Sequence, residues 1–468
     1  MTTAVPDRVL VVGASASGLS TVEALRRQQY QGEITVLGAE VHAPYDRPPL
    51  SKQVLSGAWD PDRAALRTQD LLSALDAELV LGDSATALDP VTLTVRTESG
   101  RELRADAIVI ATGVHARTLP GHEGLAGVHV LRTLDDAMAL RKDVLACSRL
   151  VVVGEGVLGA EIAATARALG VDVTMTGPQP APMALQVGPM VSGLLADLHS
   201  SHGVRLRLGT GVVGLSGQDG RVTGVRLETG EELPADVVVV AIGASPATEW
   251  LAGSGLDLDN GVVCDSRCRA ADGIYAVGDV ARWHHEQLGG LVRLENRTNA
   301  TEQAAAVASV ILGDDRPYVP IPYFWTDQFD VKIQVHGVLA ADAEVDVVEG
   351  DVSTGRFVAR YSRGDAVIGV LGWNMPKQVR QRRQEIVDTL LAPVSNPKPS
   401  RSSAMKVVID AEKCVAAGQC VAAAMEVFDQ RDEDGIVMLL NEHPPAELAE
   451  EVRQAAAVCP AMAILIEE

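Results

Sequence analysis

The sequence is short of aromatic residues and of positive charge, and the second shortage narrows the possible partners. Only 3% of its 468 residues are aromatic, and 40 Lys and Arg stand against 62 Asp and Glu, a formal net charge of −22. Nucleic acids and anionic membrane surfaces are bound through clustered Lys and Arg. The charge therefore argues against nucleic-acid and membrane partners.

Long hydrophobic runs are also missing. The longest strongly apolar runs, such as residues 237–242, have the length of a strand, whereas a membrane-spanning helix needs about 20 residues. No basic segment precedes a cleavable apolar stretch at the N-terminus. We therefore expect a soluble, cytoplasmic protein. Its length suggests about three or four domains.

Cysteine is sparse and is not spaced as in a secreted, disulfide-bonded domain. Of the six cysteines, Cys147, Cys264 and Cys268 are scattered through the long N-terminal part. Three residues separate Cys264 from Cys268, which is not the two-residue spacing of redox-active pairs. We interpret these three as ordinary thiols in a reducing compartment.

The remaining cysteines, Cys414, Cys420 and Cys459, stand in an acidic C-terminal segment. A cysteine followed by proline, behind an upstream cysteine group, is the run with which bacterial ferredoxins bind iron–sulfur clusters. Ala417 occupies the middle of the upstream loop and has no donor atom. A four-iron cluster needs four ligands, so three cysteines predict a [3Fe-4S] cluster. The alternative is a zinc site. The spacing of these cysteines and the lack of a nearby histidine fit such a site poorly.

The N-terminus has the pattern of a dinucleotide-binding unit. An apolar strand at residues 9–12 runs into a glycine turn and then into a helical pattern. Gly13 makes the tight turn, and Gly18 permits close packing of the helix, whose N-terminus binds a pyrophosphate. Ser15 replaces the usual middle glycine. Glu40, about 20 residues beyond the turn, is placed to bind ribose hydroxyls.

The same pattern recurs in the middle of the chain. A strand at residues 150–153 leads into a complete glycine fingerprint, with Gly154, Gly156 and Gly159, and then into a helix. Two such units predict two bound dinucleotides. The alternative is an internal duplication with one inactive copy.

Several further motifs occur in order along the chain. They are residues 45–52, the turn 111–113 with Arg117 and Pro120, and residues 131–133, 278–279, 299–303 and 324–328. With these motifs, the chain from residue 8 to about 390 resembles the flavin-dependent ferredoxin reductases of class I oxygenase systems, and residues 405–468 resemble the small three-iron ferredoxins of bacterial monooxygenases. Disulfide reductases of related architecture carry a cysteine pair beside the flavin, and this chain has none there.

The resemblance implies an α/β fold of glutathione-reductase-like architecture, with two Rossmann-like domains for FAD and NAD. A small α+β reductase domain and an α+β ferredoxin-like domain follow. The predicted limits are 1–113 and 243–320 for the FAD domain, 114–242 for the NAD domain, 321–391 for the third domain, 392–404 for a linker and 405–468 for the ferredoxin domain.

The resemblance also implies the site residues. Lys52 is expected beside the flavin ring, Glu161 near the nicotinamide and Trp325 at the electron exit, although a surface lysine, a structural glutamate and a core tryptophan are the plainer interpretations. The cluster ligands are Cys414, Cys420 and Cys459. The expected cofactor-binding residues are Gly13, Ser15, Ser17, Gly18, Glu40, Arg47, Lys52, Ala85, Thr112, Gly113, Arg132, Gly154, Gly156, Gly159, Glu161, Gly243, Gly278, Asp279, Arg297 and Trp325.

The nicotinamide preference is only weakly indicated. Members of the family usually have an acidic residue at the end of the strand after the second glycine turn, where this chain has Gly177. No Arg or Lys occurs between residues 178 and 200, so a cation for the 2′-phosphate of NADPH is missing as well. We expect NADH, with NADPH left open.

The expected function is electron transfer from NADH through FAD to the cluster, then to a cytochrome P-450. A non-haem oxygenase, an iron–sulfur assembly system as acceptor, and an NADH-binding redox sensor are the alternatives. Fusion places the ferredoxin near the flavin, so an internal reductase–ferredoxin contact is expected. A basic patch on a predicted helix at 376–391, with Lys377, Arg380, Arg382 and Arg383, is interpreted as a solvated surface.

Overall fold

A computed structural model describes residues 5–122, 124–340, 342–390, 405–431, 434–445, 448–459, 461 and 463–467. The predicted linker at 392–404 and Pro460 lie outside the described residues. Among the described helices, none combines the length and the apolar character needed to cross a membrane.

A six-stranded sheet carries the first glycine turn. Its central strands are buried on both faces, which explains why the run from Val9 to Val12 has no polar residue. All neighbouring strands pair in parallel except the first two of the order. The helices Ala16–Arg27 and Arg297–Ile311 pack together beside it. The strand order is Arg269–Ala271, Ile274–Ala276, Ala107–Ile110, Arg8–Val12, Glu33–Gly38 and Glu78–Leu81.

A five-stranded parallel sheet carries the second glycine turn. The short strands Val114–Ala116 and Ala244–Pro246 pair with each other where the chain enters and leaves this region, close to the predicted domain limits, which stay predictions. The helices are Leu134–Ala146, Val157–Ala168 and Ala184–Ser201. The strand order is Arg205–Leu208, Asp172–Gly177, Arg149–Val153, Val237–Val240 and Val128–His129.

Smaller elements complete these two regions. Three sheets of three strands each are formed by Ala85–Asp89, Thr94–Thr97 and Glu102–Arg104, by Val212–Gln218, Arg221–Leu227 and Glu232–Pro234, and by Val262–Cys264, Ala281–His285 and Gly290–Val292. The short α-helices are Gln53–Ser56 and Gln69–Ala74, and the 3₁₀ turns are Pro48–Ser51, Pro61–Ala64, Glu249–Leu251 and Gly278–Val280.

The third region is an antiparallel sheet with helices behind it. The predicted helix at 376–391 is wrong as a single element, because a turn at Arg382 divides it into Pro376–Gln381 and Arg383–Leu390. Arg382 bonds to Glu385 and to Glu349 of the sheet at this turn. The 3₁₀ turn Val352–Thr354 joins two of the strands. The strand order is Tyr323–Gln328, Val331–Gly337, Ala366–Trp373, Arg356–Arg363 and Glu344–Asp351.

The C-terminal region is small and has its own core. Two strand pairs surround the buried side chains of Val407, Val421, Phe428 and Val452. The predicted α/β fold with a third α+β region and a ferredoxin-like end is therefore confirmed. The elements are the paired strands Lys406–Ile409 and Ile464–Glu467, the paired strands Phe428–Gln430 and Val437–Leu439, and the helices Gln419–Ala423 and Ala449–Val458.

Candidate functional site

The first glycine turn has the close backbone approach that the sequence predicts. A Cβ on Gly13, whose φ is +124°, would lie 2.2 Å from the carbonyl oxygen of Ala111. A Cβ on Gly18 would lie 1.8 Å from the carbonyl oxygen of Gly13. Ser15 occupies the N-cap position of the following helix, but its side chain makes no hydrogen bond to the helix. The turn therefore fits the pyrophosphate of a dinucleotide.

A second tight approach lies next to this turn. Gly278 has a φ of +74°, and a Cβ there would lie 2.8 Å from Oγ of Ser17. The Gly278 amide donates to Oε1 of Gln303 at 2.8 Å. Two predicted site residues that are far apart in sequence, Ser17 and Gly278, thus meet at one point.

Asp279 follows Gly278 and forms an ion pair with Arg132. The distance from Nη2 to the carboxylate is 3.3 Å. Burial lowers the pKa of Arg132, and Asp279 opposes that effect. A Cβ on Gly113, whose φ is +70°, would lie 3.1 Å from the same guanidinium. The structure therefore groups Gly113, Arg132 and Asp279.

The predicted ribose ligand Glu40 is held by neighbouring side chains. Its carboxylate pairs with Arg47 at 2.8 Å and accepts the hydroxyl of Tyr45. Nε of Arg47 is buried without a hydrogen-bond partner in the described part of the chain. Ala85 packs against the core of the first sheet. The roles of Glu40 and Ala85 in cofactor binding stay predictions.

Three further predicted residues make contacts that connect elements of the protein. Oγ1 of Thr112 donates to the carbonyl oxygen of Ala247 at 2.8 Å. Gly243 has a φ of +92°, and its carbonyl oxygen accepts the amide of Arg117. Arg297 forms a buried ion pair with Asp46.

Lys52 and Glu161, which the sequence places separately in the expected site, form a buried ion pair. Their Nζ and Oε2 atoms are 2.7 Å apart, and the side chains are only 12% and 6% exposed. Oγ of Ser51 donates to Oε2 of Glu161 at 2.5 Å, and Oγ1 of Thr326 donates to Oε1 at 2.9 Å. Such donors offset the cost of burying a charged pair. Lys52 is therefore not a solvated surface lysine.

The pair is extended by buried polar side chains. Nε2 of Gln328 donates to Oγ1 of Thr326 at 3.2 Å, and its Oε1 contacts Nε2 of His199 at 2.8 Å. Burial lowers the pKa of His199, which favours the neutral ring. This chain of contacts joins Lys52 to the third region and to the helix Ala184–Ser201.

The second glycine turn repeats the geometry of the first. Gly154 has a φ of +120°, and a Cβ there would lie 2.2 Å from the carbonyl oxygen of Ala241. A Cβ on Gly159 would lie 2.0 Å from the carbonyl oxygen of Gly154. Gly156 caps the helix Val157–Ala168 and has space around it. This turn therefore also fits a dinucleotide.

A cavity of about 640 Å³ lies where the region of the six-stranded sheet, the third region and the C-terminal region meet. Its lining includes Lys52 from the first of these, Trp325 from the second, and Lys413, Val415 and Ala461 from the C-terminal region. The predicted residues beside the flavin thus share one cavity with the loop that carries Cys414.

The three predicted cluster ligands lie in one small core. Cys420 and Cys459 are buried and Cys414 is half-buried. The amides of Ala416 and Ala463 donate to the sulfurs of Cys414 and Cys459, each at 3.3 Å. Such N–H···S bonds accompany iron–sulfur ligation. Within the described residues, no three His, Cys, Asp or Glu side chains are grouped as a site for a metal ion.

The cysteine loop is docked on the sheet of the third region. Nζ of Lys332 donates to the carbonyl oxygen of Val415 at 3.2 Å, and Nε2 of Gln334 donates to that of Ala416 at 3.0 Å. The buried hydroxyl of Tyr323 donates to the carbonyl oxygen of Ala417. Three neighbouring peptide groups of the loop are thus bound by one strand pair.

An ion-pair cluster holds the same two regions together. Asp429 pairs with Lys377 at 3.3 Å and with Arg380 at 3.0 Å. The interpretation of the basic patch as a solvated surface is therefore wrong for Arg380, whose side chain is only 10% exposed. The C-terminal region covers it, which the composition of the helix alone does not show. Elsewhere, Arg63 donates to the carbonyl oxygen of Glu412 at 3.1 Å.

Several residues that make these contacts were not identified from the sequence. Ser51 and Thr326 stand directly beside Lys52 and Trp325, so their place in the same motifs was an available signal. Lys332 and Gln334 lie on the strand Val331–Gly337, and no sequence pattern indicates that their side chains bind the cysteine loop.

Comparisons with known proteins agree with this geometry. The profile of the pyridine nucleotide-disulphide oxidoreductase family matches residues 7–304, that of the reductase C-terminal domain matches 323–390, and that of the 4Fe-4S single cluster domain of ferredoxin I matches 409–466. Rhodocoxin reductase from Rhodococcus erythropolis is 37% identical over 371 residues, which cover 79% of this chain and 87% of that protein.

Two further comparisons concern a dioxygenase system and a covalent complex. The ferredoxin–NAD(+) reductase subunit of the benzene 1,2-dioxygenase system from Pseudomonas putida is 38% identical over 353 residues, covering 75% of this chain and 85% of that protein. The covalent putidaredoxin reductase–putidaredoxin complex superimposes with a TM-score of 0.78 at 34% identity, covering 82% of this chain and 93% of that chain.

The ion pairs of Asp429 predict a docked state that depends on charge. We expect Asp429→Asn to weaken docking by about 1–3 kcal/mol, because two cations lose their counter-charge, and to increase the radius of gyration in small-angle X-ray scattering. The control is Asp434→Asn, since Asp434 pairs with Arg431 inside the C-terminal region. An unchanged radius in Asp429→Asn would contradict the role of this ion pair.

The same contact predicts a dependence on pH. Although burial alone would raise the pKa of Asp429, the amide of Gln430 and the Lys377 ammonium lower it overall. Its contribution to docking is therefore complete above the unfolded pKa of about 3.9 and is lost as the pH falls through the lower folded-state value.

Proposed function

Because the chain belongs to the pyridine nucleotide-disulphide oxidoreductases, as a ferredoxin reductase with a ferredoxin-like iron–sulfur domain behind it, we propose that it delivers electrons from NADH to a monooxygenase through its own [3Fe-4S] cluster. It is an FAD-dependent NAD(P)H:ferredoxin oxidoreductase. The observation that carries the proposal is the docking of the cysteine loop at the cavity that Lys52 and Trp325 line. The acceptor is a cytochrome P-450.

The residues of the chain have separate tasks in this proposal. Bound FAD supplies the conversion between two-electron hydride transfer and one-electron transfer. The first glycine turn, Ser17 and the group around Asp279 hold FAD, and the second glycine turn holds the nicotinamide dinucleotide. The protein positions these groups and shields them from water, and no general acid or base is required for hydride transfer.

The ion pair of Lys52 and Glu161 orders the nicotinamide end of the site. Both charges are buried, and Ser51 and Thr326 occupy the two oxygens of the carboxylate. The ammonium is thereby fixed in direction. Trp325 lines the same cavity as Lys52 and Val415 of the cysteine loop, which supports a role at the electron exit.

Three irons rather than four follow from Ala417. Ala417 is only 4% exposed, and residues 415–419 between the two cysteines contain no further cysteine, so the loop has no other thiolate in place of the missing one. The family profile that matches here is named for a four-iron cluster, whereas Ala417 stands where the C-x2-C-x2-C run of bacterial ferredoxins has its middle cysteine. We therefore assign the cluster as [3Fe-4S].

A non-haem oxygenase is the second candidate acceptor. The observation in its favour is the similarity to the reductase subunit of the benzene dioxygenase system. The ferredoxin-like end resembles the three-iron proteins of bacterial monooxygenases, which favours the P-450 class.

The first test of this function concerns Glu161. We expect Glu161→Gln to slow flavin reduction by NADH by about 10- to 100-fold, because losing hydrogen bonds to a charged group costs about 1.5–3 kcal/mol and leaves Lys52 unpaired. Stopped-flow absorbance of the flavin measures the rate. The control is Glu102→Gln, since Glu102 is an exposed partner of Arg96. An unchanged rate in Glu161→Gln would show that the pair does not order the nicotinamide.

The second test concerns the cluster. We expect the oxidised protein to give the electron paramagnetic resonance signal of a three-iron cluster. In Ala417→Cys we expect that signal to be absent from the oxidised protein and a four-iron signal to develop on reduction, because a fourth thiolate completes the ligand set. Iron and sulfide analysis supplies the control for cluster content. A four-iron signal in the reduced unmodified protein would overturn the assignment.

A further inference from the structure

The second glycine turn contains a buried carboxylate, that of Glu155. Glu155 stands between Gly154 and Gly156, and its side chain is buried, with the residue only 6% exposed. The carboxylate extends to the end of the strand Asp172–Gly177. Its Oε1 accepts the amide of Gln179 at 3.0 Å.

Gly177 is the residue that makes room for this carboxylate. A Cβ at position 177 would lie 1.6 Å from Oε2 of Glu155 and 3.2 Å from Oε1. The backbone does not require glycine there, since Gly177 is not among the glycines with positive φ. The absence of a side chain at 177 therefore serves the position of Glu155.

The end of this strand is where dinucleotide folds place their acidic residue. A carboxylate there binds the ribose hydroxyls of NAD, whereas NADP sites place a cation for the 2′-phosphate. This chain has glycine at the strand end, but the carboxylate of Glu155 occupies the space that a side chain at 177 would enter. The acidic group is therefore present, and the glycine loop supplies it.

We propose that Glu155 binds the adenosine ribose hydroxyls of NADH and disfavours the 2′-phosphate of NADPH, with Gly177 as the space that it requires. The proposal rests on the assignment of the second glycine turn to the nicotinamide dinucleotide. Glu155 then sets the preference for NADH over NADPH, which Gly177 at the end of the strand does not indicate.

The surrounding charges agree with a site for hydroxyl groups. Residues 178–200 contain no Lys or Arg. On the adjacent strand, Arg205 pairs with Asp172 at 2.8 Å and Arg207 with Glu231 at 3.1 Å. Both guanidinium groups are thus already engaged by carboxylates. A 2′-phosphate would face Glu155 without a free cation from these two segments.

Calorimetric binding to the full, flavin-loaded chain tests this without turnover. ADP-ribose and 2′-phospho-ADP-ribose are the probes, because they differ only at the 2′ position. We expect the unmodified protein to prefer ADP-ribose. In Glu155→Gln we expect ADP-ribose to bind about tenfold more weakly, since a hydrogen bond to a charged group is lost, and the preference to shrink by a similar factor. An unchanged preference in Glu155→Gln would overturn the proposal.

A double-mutant comparison tests the role of Gly177. Gly177→Ala is expected to weaken ADP-ribose binding in the unmodified background, because the methyl group displaces Glu155. The same substitution in a Glu155→Gly background is expected to have little effect, since the carboxylate is then absent. Equal effects in the two backgrounds would show that Gly177 matters for another reason and would overturn the proposal. Flavin content and thermal midpoint confirm folding of each variant.

The two levels of the assignment fail differently. If the unmodified protein binds neither probe, the second glycine turn is not a nicotinamide site, and the proposed function fails together with this inference. If it binds ADP-ribose and Glu155→Gln binds it equally well, only the assignment of Glu155 fails.

Discussion

The contact between the cysteine loop and the third region is the constraint on which the arrangement of the molecule depends. Three successive carbonyl groups of the loop, those of Val415, Ala416 and Ala417, accept donors from one strand pair. Peptide groups of a loop need partners when they are buried, and here another region supplies them. Lys413 and Val415, the residues on either side of Cys414, line the same cavity as Lys52. The fused domain thus meets the reductase in a defined orientation, and the linker does not have to determine it.

A second polar connection sets the geometry on the other side of the cavity. The carboxylate of Glu161 is shared by Lys52, Ser51 and Thr326, which come from two other regions of the chain. The attraction within a buried ion pair offsets the desolvation cost only when further hydrogen bonds satisfy its remaining polar atoms. Ser51 and Thr326 supply such hydrogen bonds to Glu161. The proposed nicotinamide end and the proposed electron exit are therefore connected through Thr326 and its neighbour Trp325. Docking of the ferredoxin-like region and orientation of Lys52 depend on the same strand, Tyr323–Gln328.

The sequence predicted those features that depend on local chemistry. The glycine turns at Gly13 and Gly154, the buried strands before them and the fold class follow from patterns within about 30 residues. Contacts between distant segments were not predictable in this way. The sequence did not identify Glu155 as the acidic group at the strand end, because the expected position for that group is 177, which is glycine. The basic patch around Arg380 was predicted to be solvated, because the sequence of the helix does not indicate the contact with Asp429. The loop of Ala417 was identified by its missing ligand, but not by its docking partners.

The central claim is that electrons pass from the flavin to the docked cluster within one molecule before they leave it. The most direct measurement is anaerobic mixing of the protein with one equivalent of NADH, with flavin and cluster followed separately by absorbance and freeze-quench electron paramagnetic resonance. The account predicts that the cluster is reduced after the flavin, at a rate that does not change with protein concentration. A cluster that stays oxidised, or a rate that rises in proportion to protein concentration, would contradict it.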